Sequence, residues 1–539
     1  MPLGIGRNFV FNYAMPKDVK TDSAPPILAL PRLIRGREEY VLGLLLLTVA
    51  CITAVVLHDT DKYTFLYYGD AASHIVKARQ FVDSQQPWLD IIGTVWLPLP
   101  HVLLLPFTAI DSLFFSGIAG SALGIPCLVG TGMLLFLIVR RLTGSRPVAF
   151  LSACLFGLNP NVVYISLTPM NEPCLFFFVA LGGYALLRWV YEGSERWLLV
   201  CAAAVMMATL CRYEAWLLAP FVSLVAATKG LSAWKRSEQK RAIRMFSIAL
   251  LSLAGIIFWF CWNKYEFGDA LRFAPWNFRP APSDINNPMR YRQEAVSLTL
   301  LRAVLNIFGP VALLACATGI LRLRRVAPER RHLLLFVFLG LPAFFIFTGI
   351  LFDYVLIDQW WWNWRFVLTF GLFLSVVGGI GLSEFFKNVR SRAVRGVVVA
   401  SLFAMPIVQL TVPSVSVATY EDASKIFGGL SKYAAGFGEQ LRSLHKGGNI
   451  VLFTGSGLGE RIMVSSGLPL RNFHLIQVPG GLDIQGPIRS GDRYVVIGKV
   501  RLPDSREVVD YWLARRELFL QYYNIVFEDE NYVLLGRKD

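Results

Sequence analysis

Charge is sparse in this sequence. Asp, Glu, Lys and Arg make up 17% of the 539 residues against 55% hydrophobic ones, and mean hydropathy is +0.51. That balance excludes a disordered chain, which needs high charge and little apolar content, and it does not suit a soluble globular chain of this length. Cysteine is also used sparingly. The eight cysteines (Cys51, Cys127, Cys154, Cys174, Cys201, Cys211, Cys261 and Cys316) all fall in or at the end of apolar runs, with no CxxC pair. A disulfide scaffold or zinc site is therefore not indicated, and they read as small buried hydrophobes. The first 39 residues have no apolar core followed by a small-residue cleavage site, so no cleavable signal peptide is expected. No internal repeat is visible, which weighs against a transporter built of inverted repeats.

What the chain has in abundance is apolar runs near the roughly 20 residues needed to cross a bilayer. Eleven candidate spans fall near 40–57, 117–139, 148–164, 174–190, 197–211, 215–228, 245–262, 296–321, 333–351, 366–385 and 396–412. Arg32, Arg35 and Arg37 precede the first, which puts the N-terminus in the cytoplasm. Alternation then assigns to the cytoplasm the loops holding Arg140 and Arg141, Lys235 and Arg236, Arg324 and Arg325, and Arg390 and Arg392. The formal charge of +15 is thus explained by topology rather than by nucleic acid, because the cations sit in short loops and form no continuous face.

The expected organisation is a cytoplasmic segment 1–39, a membrane region 40–412 and a polar region 413–539 outside the membrane. In the last, short strand patterns near 450–454, 473–478, 494–500 and 523–528 alternate with helical ones near 457–466 and 505–520, the mark of a small α/β domain.

Candidate chemistry gathers on the outer side. The long first loop, about 58–116, contains Gly69-Asp70-Ala71-Ala72-Ser73-His74, where helical spacing puts Asp70, His74 and Lys77 on one stripe beside an apolar stripe of Ala71, Ile75, Ala78 and Val82. Such a helix would lie along the membrane surface. Asp70 is either an N-terminal cap or a reacting carboxylate. His101 follows Pro98-Leu99-Pro100 at the head of an apolar stretch too short to span, as in a re-entrant segment lining a cavity.

Three further places carry ionisable groups. Glu172 lies in the turn Thr168-Pro169-Met170-Asn171-Glu172-Pro173, which is either an ordinary exposed turn or a functional one. Arg212 and Glu214 flank Tyr213 between short spans, as an internal ion pair or a polar site below the surface. Arg365 ends Trp360-Trp361-Trp362-Asn363-Trp364-Arg365; an interfacial aromatic belt accounts for this run, and the planar guanidinium would equally suit a lipid phosphate. Thr454-Gly455-Ser456-Gly457-Leu458-Gly459-Glu460 lacks the Lys and spacing of a P-loop and reads as a turn and cap. Carboxylates, cations and histidines brought together from these places suit group transfer from an anionic lipid.

These segments resemble the GT-C superfamily of integral-membrane glycosyltransferases, in particular the branch of the protein O-mannosyltransferases and lipid A aminoarabinose transferases. The resemblance rests on Gly69-Asp70 through Lys77-Ala78-Arg79, Pro98-Leu99-Pro100-His101, Thr168 to Pro173, Arg212-Tyr213-Glu214 and Asn363-Trp364-Arg365-Phe366. It implies an α-helical polytopic membrane protein at the plasma membrane whose cavity opens to the outer leaflet. It also implies a polyprenyl-phosphate-linked sugar donor among the membrane lipids, and transfer with inversion to an acceptor hydroxyl of protein, lipid or polysaccharide. Asp70 matches the first-loop acid and would be the general base, or a ligand of Mg or Mn in members that use a metal. Glu172 would assist it, while Arg365 would meet donor phosphate, with His74, Lys77, His101, Arg212 and Glu214 lining the substrate site. Ala71 stands where relatives often carry a second acid, which leaves metal use open. The alternative activity is a flippase of lipid-linked saccharides, which needs cationic sites but no base.

Overall fold

A computed structural model describes residues 37–84, 92, 95–274, 295–326, 333–352, 354–357, 363–412, 415–424, 428–454, 457–475, 492–499 and 506–538. Trp360, Trp361 and Trp362, Gly455 and Ser456, and nearly all of the 1–39 segment lie outside these residues.

All eleven expected spans are helical, but not all cross unaided. Eight continuous helices are long and apolar enough to do so: Glu38–Thr60, Ala119–Thr143, Glu172–Glu192, Tyr213–Lys235, Gln239–Phe267, Leu333–Leu351, Trp364–Asn388 and Arg392–Thr411. The helix Glu195–Thr209 has only 15 residues, about 22 Å of rise, short of the roughly 30 Å hydrocarbon thickness. Two spans expected to be continuous are broken. Arg146–Gly157 meets Pro160–Leu167 at 58°, and Val296–Phe308 meets Pro310–Leu323 at 101°. Each second half opens on a proline, which has no N–H to continue the ladder, and Gly309 supplies the positive φ of 77° at the sharper bend. Eight spans, or ten with each bent pair counted once, therefore replace the expected eleven among the described residues.

Broken helices expose carbonyls that lipid cannot satisfy, and buried amides take them up. Asn159 Nδ2 donates to the Ile307 carbonyl at 2.6 Å while Asn159 Oδ1 accepts from the Asn161 amide at 2.9 Å. Gln409 Nε2 also donates to Ile307, at 3.3 Å, and to Asn306. The two bends are thus tied to each other and to the last span.

Trp364–Asn388 is the central helix, with 78% of its apolar window buried, whereas the corresponding value is 17% for the first and last spans. Its small residues let backbones touch. A Cβ at Gly381 would stand 1.8 Å from the Ala315 carbonyl oxygen, and one at Gly319 would stand 2.0 Å from that of Val377. Peripheral spans leave Leu44, Val55, Leu250 and Leu410 exposed, a surface that hydrocarbon would cover.

Beyond the last span the chain builds a five-stranded sheet from Ile450–Phe453 (β1), Phe473–Leu475 (β2), Tyr494–Gly498 (β3), Tyr523–Glu528 (β4) and Tyr532–Arg537 (β5), in the order β2-β1-β3-β5-β4. β1 pairs parallel with β2 and β3, while β5 pairs antiparallel with β3 and β4. Alternation divides its residues between two faces. Val451, Val495 and Val533 pack with Trp512 and Phe519 of the helix Arg506–Tyr522. Ile450, Leu452, Val496 and Leu534 share a core with the helices Gly429–Leu444 and Leu458–Ser466, and with Leu66, Ile75, Val76 and Leu104 of the first loop. The domain is therefore fused to the first loop by one apolar core.

Gly381→Ala is expected to lower stability by about 1–3 kcal/mol through overpacking against Ala315. Gly396→Ala, with nothing within 4 Å of the added Cβ, is expected to be neutral or to gain up to about 1 kcal/mol of helix propensity. Thermal unfolding of both variants in detergent measures the difference.

Candidate active site

The helix that carries Asp70 runs Gly69–Gln80. It is enclosed by the rest of the protein rather than exposed. Ala71, Ala72, Ser73, His74, Ile75, Val76 and Ala78 are all buried, packed against the short helix Leu99–Thr108 and the helix Leu458–Ser466. Ser73 Oγ donates to Glu460 Oε1 at 2.9 Å across that second contact.

Asp70 lies in the first turn, where the helix dipole favours a carboxylate, and its Oδ2 accepts from an Arg365 terminal nitrogen at 2.7 Å. Arg365 is positioned by Trp364–Thr369, a 3-10 turn opening the central helix, just after Asn363 in the left-handed conformation at φ 60°. From there the ion pairs continue inward. Arg365 Nε stands 3.8 Å from Glu172 Oε1, the same oxygen that accepts from Arg212 at 3.0 Å, and Arg212 closes the chain on Glu214 at 2.7 Å. Three carboxylates and two guanidiniums from four separate parts of the sequence thus form one alternating chain, Asp70–Arg365–Glu172–Arg212–Glu214.

Burial grades along it. Glu172 and Glu214 side chains are 2% and 5% exposed, while Asp70 at the other end is 40% exposed. Glu172 is consequently not the exposed acid of an ordinary turn, and Arg212 and Glu214 are both an ion pair and part of a larger polar cluster. Aromatic faces support the cations: Arg365 lies 4.9 Å over the Tyr68 ring, and Arg212 and Arg365 lie 5.1 and 5.3 Å from the Phe366 ring. Arg365 Nε and Glu172 Oε2 have no hydrogen-bond partner among the described residues.

His74 and His101 are neighbours of this chain but do not join it. Nδ1 of His74 and Nε2 of His101 share a hydrogen bond of 2.8 Å, with the Trp96 ring 4.8 Å from that of His74. Burial pushes His74 down to about 3, assisted by the charges of Arg212, Arg365 and Lys77, and burial also holds His101 well below the ordinary histidine range. The pair is neutral at physiological pH and offers hydrogen bonds rather than charge. It lines a small cavity with Thr168, Met170, Asn171 and Cys174. Lys77, on the same helix, faces the C-terminal domain; burial pushes it down to about 8, with the Glu460 carboxylate partly offsetting that.

As to a metal, Asp70 is already engaged by Arg365, and no three His, Cys, Asp or Glu side chains among the described residues converge on one point.

Sequence reasoning found all the members of the ionic chain but missed Tyr68, Phe366, Glu460 and Arg461. The last two had a signal: an acid and a base inside the apolar pattern of Leu458, Ile462 and Met463, in a helix whose every residue proves to be buried.

Residues 103–262 match a family model described as dolichyl-phosphate-mannose-protein mannosyltransferase. Among solved structures, the fold is similar to that of ArnT from Cupriavidus metallidurans bound to undecaprenyl phosphate, at TM-score 0.52 and 12% identity over 91% of this chain and 97% of that one. It is similar also to ArnT from the same organism in the apo state, at TM-score 0.51 and 13% identity over 90% and 98% of the two chains. No curated protein matches by sequence. The likeness to ArnT is one of fold.

A buried ion pair left half-empty is costly, about 3–5 kcal/mol. Glu172→Gln, which strips the carboxylate shared by two arginines, is therefore expected to destabilise the protein by about that much, and Asp70→Asn by clearly less, since Asp70 is partly solvated. Denaturation of the two purified variants against wild type checks the order.

Proposed function

We propose that the protein is a membrane glycosyltransferase that moves a sugar from a polyprenyl-phosphate donor to an acceptor hydroxyl, with inversion at the anomeric carbon, on the extracytoplasmic face of the plasma membrane. The observation that carries this reading is the graded chain itself: a partly exposed carboxylate, Asp70, bonded to a guanidinium whose other side faces the buried Glu172 at 3.8 Å. The match to a mannosyltransferase family model and the ArnT-like fold support it.

The chemistry follows from the grading. An arriving donor phosphate competes with Asp70 for Arg365, which can meet two phosphate oxygens with its planar fork. Glu172, held between the two arginines, keeps Arg365 in place as its outer partner changes. Asp70, relieved of part of its ion pair, is then free to accept a proton. The acceptor oxygen attacks the anomeric carbon and its proton passes to Asp70, while the bond from that carbon to the phosphate oxygen breaks. The electron pair stays with the polyprenyl phosphate, and its growing charge falls on Arg365, with Arg212 behind. The neutral His74–His101 pair offers hydrogen bonds to uncharged sugar hydroxyls.

Following radiolabelled sugar from polyprenyl-phosphate donors in membranes tests this directly. Wild type should move label into a protein, lipid or polysaccharide fraction. Asp70→Asn should lower kcat by about 10²–10⁴-fold, the usual worth of a positioned base, and Arg365→Lys should mainly raise the donor KM. Label that stays on intact donor while crossing the bilayer would replace the transferase by a flippase.

A further inference from the structure

The stretch 457–461 of the C-terminal domain packs against the reacting end of the first loop, beside the helix Ala418–Ala423, where the Thr419 carbonyl and Asp422 accept the Tyr68 hydroxyl at 2.7 and 3.1 Å. Arg461 is buried, yet its guanidinium donates from Nε to the Leu66 carbonyl at 2.9 Å and from a terminal nitrogen to the Tyr67 carbonyl at 2.6 Å. A third bond, at 3.2 Å, returns to the Gly457 carbonyl of its own helix. Gly457 adopts a φ of 76°, and a Cβ there would stand 2.7 Å from the Cα of Gly69. Three positions beyond Gly457, and one helical turn along the same face of the Asp70 helix, Glu460 accepts the Ser73 hydroxyl at 2.9 Å. The segment 66–73 is thus gripped at Leu66, Tyr67, Gly69 and Ser73 from a domain nearly 400 positions later in the chain.

What lies inside that grip is the mouth of the site. Tyr68, whose ring underlies Arg365, directly follows the two carbonyls that Arg461 holds, and Asp70 directly follows the glycine pressed by Gly457. Carbonyls at the start of a helix that accept a buried guanidinium are fixed in direction as well as place. Burying an arginine to hold two carbonyls is an expensive way to attach a domain that already shares an apolar core with the first loop.

We infer that Arg461 is a positioning residue of the active site, setting the backbone of Leu66 and Tyr67 so that Tyr68 and Asp70 meet Arg365, and that the C-terminal domain is thereby part of the catalytic apparatus. The inference rests on the transferase reading for its kinetic consequence, but its structural consequence stands alone. Arg365 and Arg212 are carried by the membrane region, where Glu172 faces both, so loosening the grip displaces Asp70 and Tyr68 while the arginines keep their inner partner.

Arg461→Met in the full-length protein, purified as a monodisperse species, tests this. Donor kcat should fall on the order of 10²-fold, as expected for a displaced base, while donor KM changes by less than about twofold. Arg461→Lys, able to hold one carbonyl, should recover part of kcat. Amide hydrogen exchange of residues 69–80 should quicken in both variants with the spans unchanged. Unchanged kcat and unchanged local exchange would overturn the inference, as would a loss spread equally over kcat, KM and exchange throughout the molecule. If Arg461→Met does not fold, Ser73→Ala loosens the same grip at its Glu460 contact and should show the same kcat and exchange pattern. If wild type transfers no sugar while the local exchange response is present, the transferase reading fails and the grip stands.

Discussion

The guanidinium of Arg365 is the constraint on which the rest depends. A cation at the head of the central span is tolerable only if acids meet it there, and they come from three directions: Asp70 from the first loop, Glu172 from the helix Glu172–Glu192, and Glu214 through Arg212. The charges alternate, so each like pair is separated by an opposite one. The excess is a single negative charge, placed at the exposed end on Asp70. An anionic ligand approaching this end meets a carboxylate whose partner can turn to the ligand, which couples recognition of phosphate to the release of a base.

Holding such a chain in register requires a stiff frame. Glycines at 319 and 381 bring the central helix and its neighbour into backbone contact, and buried amides at Asn159 and Gln409 pin the two bends to the last span. On the open side the C-terminal domain holds the Asp70 helix through Arg461, Gly457 and the shared apolar core. The frame is thus rigid behind Glu172 and dependent on a separate domain in front of Asp70.

Much of this was legible in the sequence. The spans show as apolar runs because hydrocarbon admits nothing else, and the ionisable residues beside them stand out for the same reason. Asp70, Glu172, Arg212, Glu214 and Arg365 could therefore be named, although their convergence could not, since nothing local to Arg212 points to Glu172. The breaks at Asn159-Pro160 and Gly309-Pro310 carried a readable proline signal, but apolar composition on both sides masked it. The burial of the Asp70 helix was not legible because its partners are distant in sequence: His74 meets His101 and Trp96, and Ser73 has Glu460 as a partner. In the sheet, period-two alternation revealed the strands and could not reveal what the two faces pack against.

The account turns on Arg365 exchanging Asp70 for a donor phosphate. Binding of polyprenyl phosphate to wild type and Asp70→Asn in detergent measures that exchange without any transfer chemistry. Removing the competing carboxylate should leave the affinity unchanged or tighten it. A clear loss of affinity in Asp70→Asn would contradict the account, since it would make Asp70 a support for the phosphate site rather than its competitor.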